Sequence, residues 1–294
     1  MNLYTERAAN LRRTWFLMIG FLLVVIAVGF ALSQYYGNPG ILYIAVAFSL
    51  LMNISSYWFS DRLVLSMTHA KPATREEYFD FYTLTENLCI AAGLSMPKLY
   101  VIQDPAPNAF ATGRNEKHAV VCATTGLLAM MNKTELEGVI AHELSHIQNR
   151  DMLVMTVAVV LAGFLAIVAD MFLRVSMFGG RDRDRDVHPA VMIIAVIGII
   201  LAPFAAKLIQ LAISRRREYL ADASGALLTR YPEGLASALE KIGSYAAPMK
   251  HTSHATAHLF IGNPFGQSAV GKLNGLFATH PPVAERIKRL RSAA

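Results

Sequence analysis

Four long apolar runs divide the chain. The first, Trp15 to Leu32, carries no charge and approaches the length a helix needs to cross the roughly 30 Å hydrocarbon core of a bilayer. A polar turn, Gln34–Gly40 with Pro39, separates it from a second run, Ile41 to Phe59, which has Asn53, Ser55 and Ser56 among its few polar side chains. The pair reads as a helical hairpin with spans at about 15–32 and 41–59. Ala31-Leu32-Ser33 resembles a leader cleavage site. The run is nevertheless longer than the roughly 7–15 apolar residues of a leader, and a second run follows at once, which favours a retained anchor. Met152 to Leu173 and Val191 to Ile213 are the third and fourth runs, the last interrupted by Pro203 and Lys207. A soluble helix of this length would show a polar face, so the pattern predicts four transmembrane helices in two hairpins.

The intervening stretches alternate in the manner of soluble structure. Thr74 followed by Glu77 predicts a capping box, and Phe81, Leu84, Leu88 and Ala91 recur at helical spacing up to a C-cap at Gly93. Segments 97–102, 108–113 and 118–123 read as strands of a small sheet. A second capping pair, Thr134 with Glu137, opens a helix on which Leu136, Ile140, Leu144 and Ile147 face inward. Gly138, one turn before His142, would leave room for substrate. Leu235, Leu239 and Ile242 mark another amphipathic helix. His251 to Ala278 reads as a long loop, and Thr279-His280-Pro281-Pro282 opens a last helix with Val283, Ile287 and Leu290 on one face. The expected organisation is an N-terminal membrane hairpin (1–60), the first half of a soluble domain (61–151), a second membrane hairpin (152–213) and the second half of that domain (214–294).

Composition supports the membrane reading. Of the 294 residues, 54% are hydrophobic and 16% charged, against about 25% charged in soluble domains. The net charge of +6 comes without a nucleic-acid motif, so it is assigned to membrane flanks and no nucleic-acid partner is expected. Arg7, Arg12 and Arg13 precede the first span, Arg62, Lys71 and Arg75 follow the second, and Arg215–Arg217 follow the fourth. Excess Lys and Arg mark the cytoplasmic side, which puts both termini and the soluble domain there. Arg181, Arg183 and Arg185, alternating with aspartates, run against that rule. Cys89 and Cys122 have neither disulfide nor metal-ligand spacing. Asp170 and Lys207 lie near span ends, where snorkelling accounts for them better than transport does.

The chemistry centres on His142-Glu143-Leu144-Ser145-His146. Residues four apart share a helix face, so both imidazoles can serve one zinc ion while Glu143 reaches a water on it. Zinc lowers the pKa of its water to about 7, within reach of a carboxylate base. Catalytic zinc sites use three protein ligands. Glu218 and Asp222, again four apart, follow the fourth run, and the second hairpin returns them to the same membrane face. Glu218 is therefore assigned to the metal, with one Zn2+ per chain, and Asp222 to a hydrogen bond behind a ligating histidine. Glu143 argues against a purely structural zinc site, which needs no general base.

These motifs resemble the HtpX family of bacterial membrane zinc endopeptidases, relatives of the CAAX prenyl endopeptidases. Asn108-Ala109-Phe110-Ala111-Thr112-Gly113, and Thr279-His280-Pro281 with Arg286-Ile287, match further segments of that family, and the four apolar runs fall where the family has them. The resemblance implies a mainly α integral membrane protein with four transmembrane helices and a zincin-like α+β protease domain. It implies a zinc metalloendopeptidase of the bacterial inner membrane that cleaves misfolded or damaged membrane proteins as part of a stress response. Its partners would be unfolded or membrane protein substrates and the lipid bilayer, with functional overlap with other quality-control proteases, and a homo-oligomer left open. His280 is the candidate for stabilising the oxyanion, by its place in the family motif, with a local hydrogen bond at a helix start as the equal alternative. Arg286 is a weaker candidate for the same task. The strand carrying Asn108, Ala109, Phe110 and Ala111 would pair its edge with an extended substrate. His251, His254 and His258 suggest a mobile loop over the cleft more than a second metal site.

Overall fold

The computed structural model describes residues 3–178, 215–251, 256–266 and 281–292, with side chains from residue 8 to 165 in the first of these segments. The first hairpin is present. Helix α1 (Leu3–Tyr36) and α2 (Gly40–Trp58) pack antiparallel about Gly37, whose φ of 62° suits glycine. Both are long and apolar enough to cross a membrane. Phe16, Leu23, Tyr43 and Ile44 on their outer faces are well exposed, as lipid-facing side chains would be. Helix α1 begins well before the apolar run, so Asn10 and Arg13 extend it by helical turns beyond Trp15. Helix α3 (Ser60–Met67) follows α2 directly.

The third run coincides with α7 (Asp151–Phe178), whose first half packs inside the protein. Met152 through Ala162, and Leu165, are buried against α1, α2, α3 and the sheet. The fourth run, with Lys207, and the Arg-Asp repeat lie outside the described residues.

The sheet has four strands: β1 (Lys71–Pro72), β2 (Lys98–Ile102), β3 (Ala109–Thr112) and β4 (Val120–Thr124), ordered β1-β2-β4-β3. Strands β2 and β4 are parallel and the other pairs antiparallel. This leaves β3 as an edge strand, as the sequence pattern expected. Helix α4 (Phe79–Ala92) ends at Gly93 in the left-handed conformation, also as expected. Its start differs. Thr74 Oγ1 accepts from the Glu77 N–H at 3.3 Å, but this closes a turn before the helix rather than its first turn.

Helices α5 (Thr125–Met130) and α6 (Lys133–Asn149) follow β4. The cap of α6 is Asn132 with Glu135, both halves of the box being made, not Thr134 with Glu137. Asn is the better N-cap, and Thr134 Oγ1 instead donates to Asn132 Oδ1 at 2.8 Å. Leu136, Ile140, Leu144 and Ile147 join the main core with Leu99, Val121 and Leu127. On the other side of α6 lie α8 (Arg215–Thr229) and α9 (Pro232–Ser244). Gly138 makes this second layer fit rather than leaving room for substrate: a Cβ there would sit 2.6 Å from the Leu235 backbone nitrogen. Gly225 does the same for α8, where a Cβ would lie 3.0 Å from His142 N. The last described helix is α10 (Val283–Arg291).

Candidate metal centre

Helix α6 carries the two histidines one turn apart, and both are buried. Their Nε2 atoms face each other at 3.2 Å. Close packing of α8 brings Glu218 to the same point, its Oε2 3.8 Å from His142 Nε2 and its Oε1 3.7 Å from His146 Nε2. Ligands held at about 2.1 Å around a tetrahedral zinc lie about 3.4 Å apart, so the spacing fits the ion. Among the described residues this is the cluster of His, Cys, Asp and Glu able to hold a metal.

The chemistry behind the ligands fits as well. His142 Nδ1 is 3.0 Å from Asp222 Oδ1, at hydrogen-bonding distance though off the line of the ring N–H. His146 Nδ1 donates to Asp151 Oδ2 at 3.3 Å. Carboxylates behind both Nδ1 atoms favour the tautomer that turns the Nε2 lone pairs inward, as metal-ligating histidines require. Asp222 is itself held by Arg286, whose Nε and Nη2 donate to Oδ2 and Oδ1 at 2.9 and 2.7 Å. The guanidinium is fully buried, also reaches the Ile261 carbonyl at 3.3 Å, and has Nη1 3.7 Å from Glu218 Oε2. Burial opposes ionisation of Asp222, but the Arg286 charge and the His142 imidazole beside it outweigh burial and hold the carboxyl below its usual range.

The other titrations follow from burial and charge. Burial pushes Glu143 up to about 7, with the Glu218 charge adding to the rise and His146, Arg286 and an Ala111 N–H bond opposing it. A carboxylate poised there can exchange protons near neutrality. Burial lowers His142. It would lower His146 too, but the Asp151 bond and the charges of Glu218, Asp151 and Glu143 raise it to about 9.

The structure treats the proposed edge strand unevenly. The β3–β4 register turns the backbone of residues 109 and 111 away from β4. Ala109 O, however, already accepts from Ile261 N at 2.9 Å. The Asn108 side chain clamps the same segment, donating to Gly262 O at 3.1 Å and accepting from Gly262 N at 3.0 Å. Phe110 is fully buried against Phe260 in an edge-to-face contact. Of the four residues assigned to substrate, Ala111 alone meets the catalytic face, through Glu143. The clamping segment, which includes a short 3₁₀ turn (Ala257–Leu259), falls within the stretch expected to be a mobile loop, yet residues 256–262 are buried. His251 packs against His69 with ring centres 4.7 Å apart and the rings tilted by 57°. His254 and His280 lie outside the described residues.

Sequence reasoning missed Asp151. It lies five residues past His146, beyond Arg150 in the left-handed conformation (φ 57°). There the chain turns 85° from α6 into α7, which folds Asp151 back under the helix it follows. An acidic residue just after the motif helix was the available signal.

A buried His-His-Glu centre built from two packed helices, beside a hairpin of membrane-length helices, defines a membrane metalloprotease, and sequence comparison gives its family. Residues 80–294 match Peptidase family M48, and the chain belongs to that family. It is 49% identical to the Protease HtpX homolog of Caldanaerobacter subterraneus subsp. tengcongensis over 99% of this chain and 97% of that protein. The Protease HtpX homologs of Thermococcus sibiricus and Streptococcus gordonii are 47% and 41% identical, over 96% and 98% of this chain and 95% and 99% of theirs. The crystal structure of S. mikatae Ste24p superposes with a TM-score of 0.49 at 16% identity, over 98% of this chain and 67% of that one.

Proposed function

We propose that the protein is a zinc-dependent endopeptidase of the bacterial inner membrane, with its protease domain in the cytoplasm, acting on misfolded or damaged membrane proteins in quality control. The observation that carries the catalytic part is the convergence of His142, His146 and Glu218, with Glu143 on the same buried face. Bound there, zinc would supply Lewis acidity toward water and the scissile carbonyl. Glu143 takes a proton from the attacking water as the new C–O bond forms, and returns it to the amine nitrogen as the C–N bond breaks. Ala111 N–H, on the outward edge of β3, binds Glu143 in the resting protein and is placed to meet an extended substrate backbone. Asp222 and Arg286 hold His142 rather than touch substrate. His280 is assigned to the oxyanion by its motif and its place just before α10. The basic flanks at Arg12, Arg13, Arg62 and Arg75 support the cytoplasmic orientation.

The test is Glu143→Gln in the detergent-solubilised full chain. Zinc should stay near one per chain, and cleavage of an unfolded protein substrate should fall by roughly 100-fold or more. Cleavage at the parent rate would overturn the mechanism.

A further inference from the structure

Beneath His146, a chain of buried polar side chains leaves the protease domain and ends on the first membrane helix. Asp151 Oδ2 accepts from His146 Nδ1. Its other oxygen, Oδ1, accepts from Asn10 Nδ2, on α1. The same amide nitrogen donates to Asn149 O, the last carbonyl of α6, at 3.2 Å. Asn10 Oδ1 accepts in turn from Arg13 Nη1 at 2.9 Å. The orientation of the amide is determined: an acceptor faces each Nδ2 hydrogen and a cationic donor faces Oδ1, so flipping it would break all three bonds. Asn10 and Asp151 are both about as buried as any residue in the core. An asparagine this deeply buried would be costly without these partners. Arg217 Nε lies 4.0 Å from Asp151 Oδ1, too far to replace the amide.

We propose that Asn10 is a positioning residue for the metal centre, through which the first membrane helix fixes Asp151 and thereby the orientation and tautomer of His146. Asp151 has two oxygens and two tasks. Asn10 occupies one and pins the carboxylate to the end of α6, so the other is presented to His146 Nδ1. Without Asn10, Oδ1 keeps only the 4.0 Å approach of Arg217 Nε, and His146 loses its fixed acceptor. The proposal rests on reading His142, His146 and Glu218 as the zinc site. It adds that the membrane hairpin completes that site as well as anchoring it.

The experiment uses the full chain in detergent. Zinc affinity is measured by competition with a chromophoric chelator, and the visible spectrum is recorded with Co2+ in place of zinc, for the parent, Asn10→Ala, Asp151→Asn and the double variant. Loss of a group that orients a ligand costs about 10–100-fold in metal affinity. That loss is expected for Asn10→Ala, with an altered cobalt spectrum, and the double variant should be little worse than Asp151→Asn alone. The second readout is the rise in thermal midpoint on adding zinc. It should shrink in Asn10→Ala, whereas a merely structural role would lower the midpoints with and without zinc equally. Should Asn10→Ala fail to fold, Asn10→Ser, which keeps a donor, should give the same pattern at smaller size. Parent-like zinc affinity and spectrum in a folded Asn10 variant would overturn the proposal. A parent protein that binds no zinc would overturn the metal site itself.

Discussion

The two imidazoles of the centre sit one turn apart on one helix, yet they are braced from opposite directions. His142 backs onto Asp222, which the forked guanidinium of Arg286 holds from α10. His146 backs onto Asp151, which a neutral amide holds from α1. The electrostatic results differ accordingly. Burial lowers His142 although Asp222 raises it, with the Arg286 charge adding to the fall, while the carboxylates around His146 overcome burial and raise it to about 9. Without metal, His146 therefore holds a proton more tightly than His142, so metal entry must displace a proton from the Asp151 side of the site.

Breaking the soluble brace should produce the largest effect. Arg286→Met strands the buried Asp222 charge and should cost about 3–5 kcal/mol of stability, read as a lower unfolding midpoint. Arg286→Lys should recover only part, because a point charge cannot bind both oxygens in the fork geometry. A full recovery would show that charge alone, without geometry, braces His142. Removing what the two sides share comes next. Glu218→Ala should weaken zinc binding more than about 100-fold, beyond the loss from an outer partner, and Asp222→Ala should weaken it less. Equal losses would mean that Glu218 is not the third ligand.

The smallest effect concerns pH. Because the folded-state pKa of His146 is raised to about 9, its charged form stabilises the metal-free protein fully below about 6.5, and that stabilisation is lost as pH rises through 9. Zinc affinity should rise over the same window by up to about tenfold per pH unit, as one proton is released. Asp151→Asn removes the largest raising influence and should move the window downward. An unchanged profile in that variant would remove the asymmetry between the two histidines.

Much of this centre was legible because it is written in helical spacing. His142 and His146, and Glu218 and Asp222, are pairs four apart, and the strands at 98–102, 109–112 and 120–124 follow the predicted runs closely. What escaped depends on contacts that spacing does not encode. Asp151 reaches His146 because a left-handed residue and an 85° turn fold it back, and Asn10 reaches Asp151 from more than 130 residues upstream. The edge of β3 reads as open in one dimension, but Asn108 and Ala109 are already paired with 261–262. Gly138 likewise suggested space, where its neighbour Leu235 leaves none. The cap at Asn132 was missed for a local reason: Thr134 with Glu137 offers the same pattern two residues on, and only backbone geometry chooses between them.

The corner at Arg150 makes α6 a lever. Helix α7 is packed along the membrane hairpin, and α6 leaves it at 85°. His142 lies eight residues from the corner, about 12 Å along the helix axis. Rocking α7 by roughly 5° with the corner rigid would sweep His142 sideways by about 1 Å, a displacement on the scale that changes catalytic rates about 100-fold. The direction in which the two histidines face is thus set at the one corner where the protease helix meets the helix packed on the hairpin.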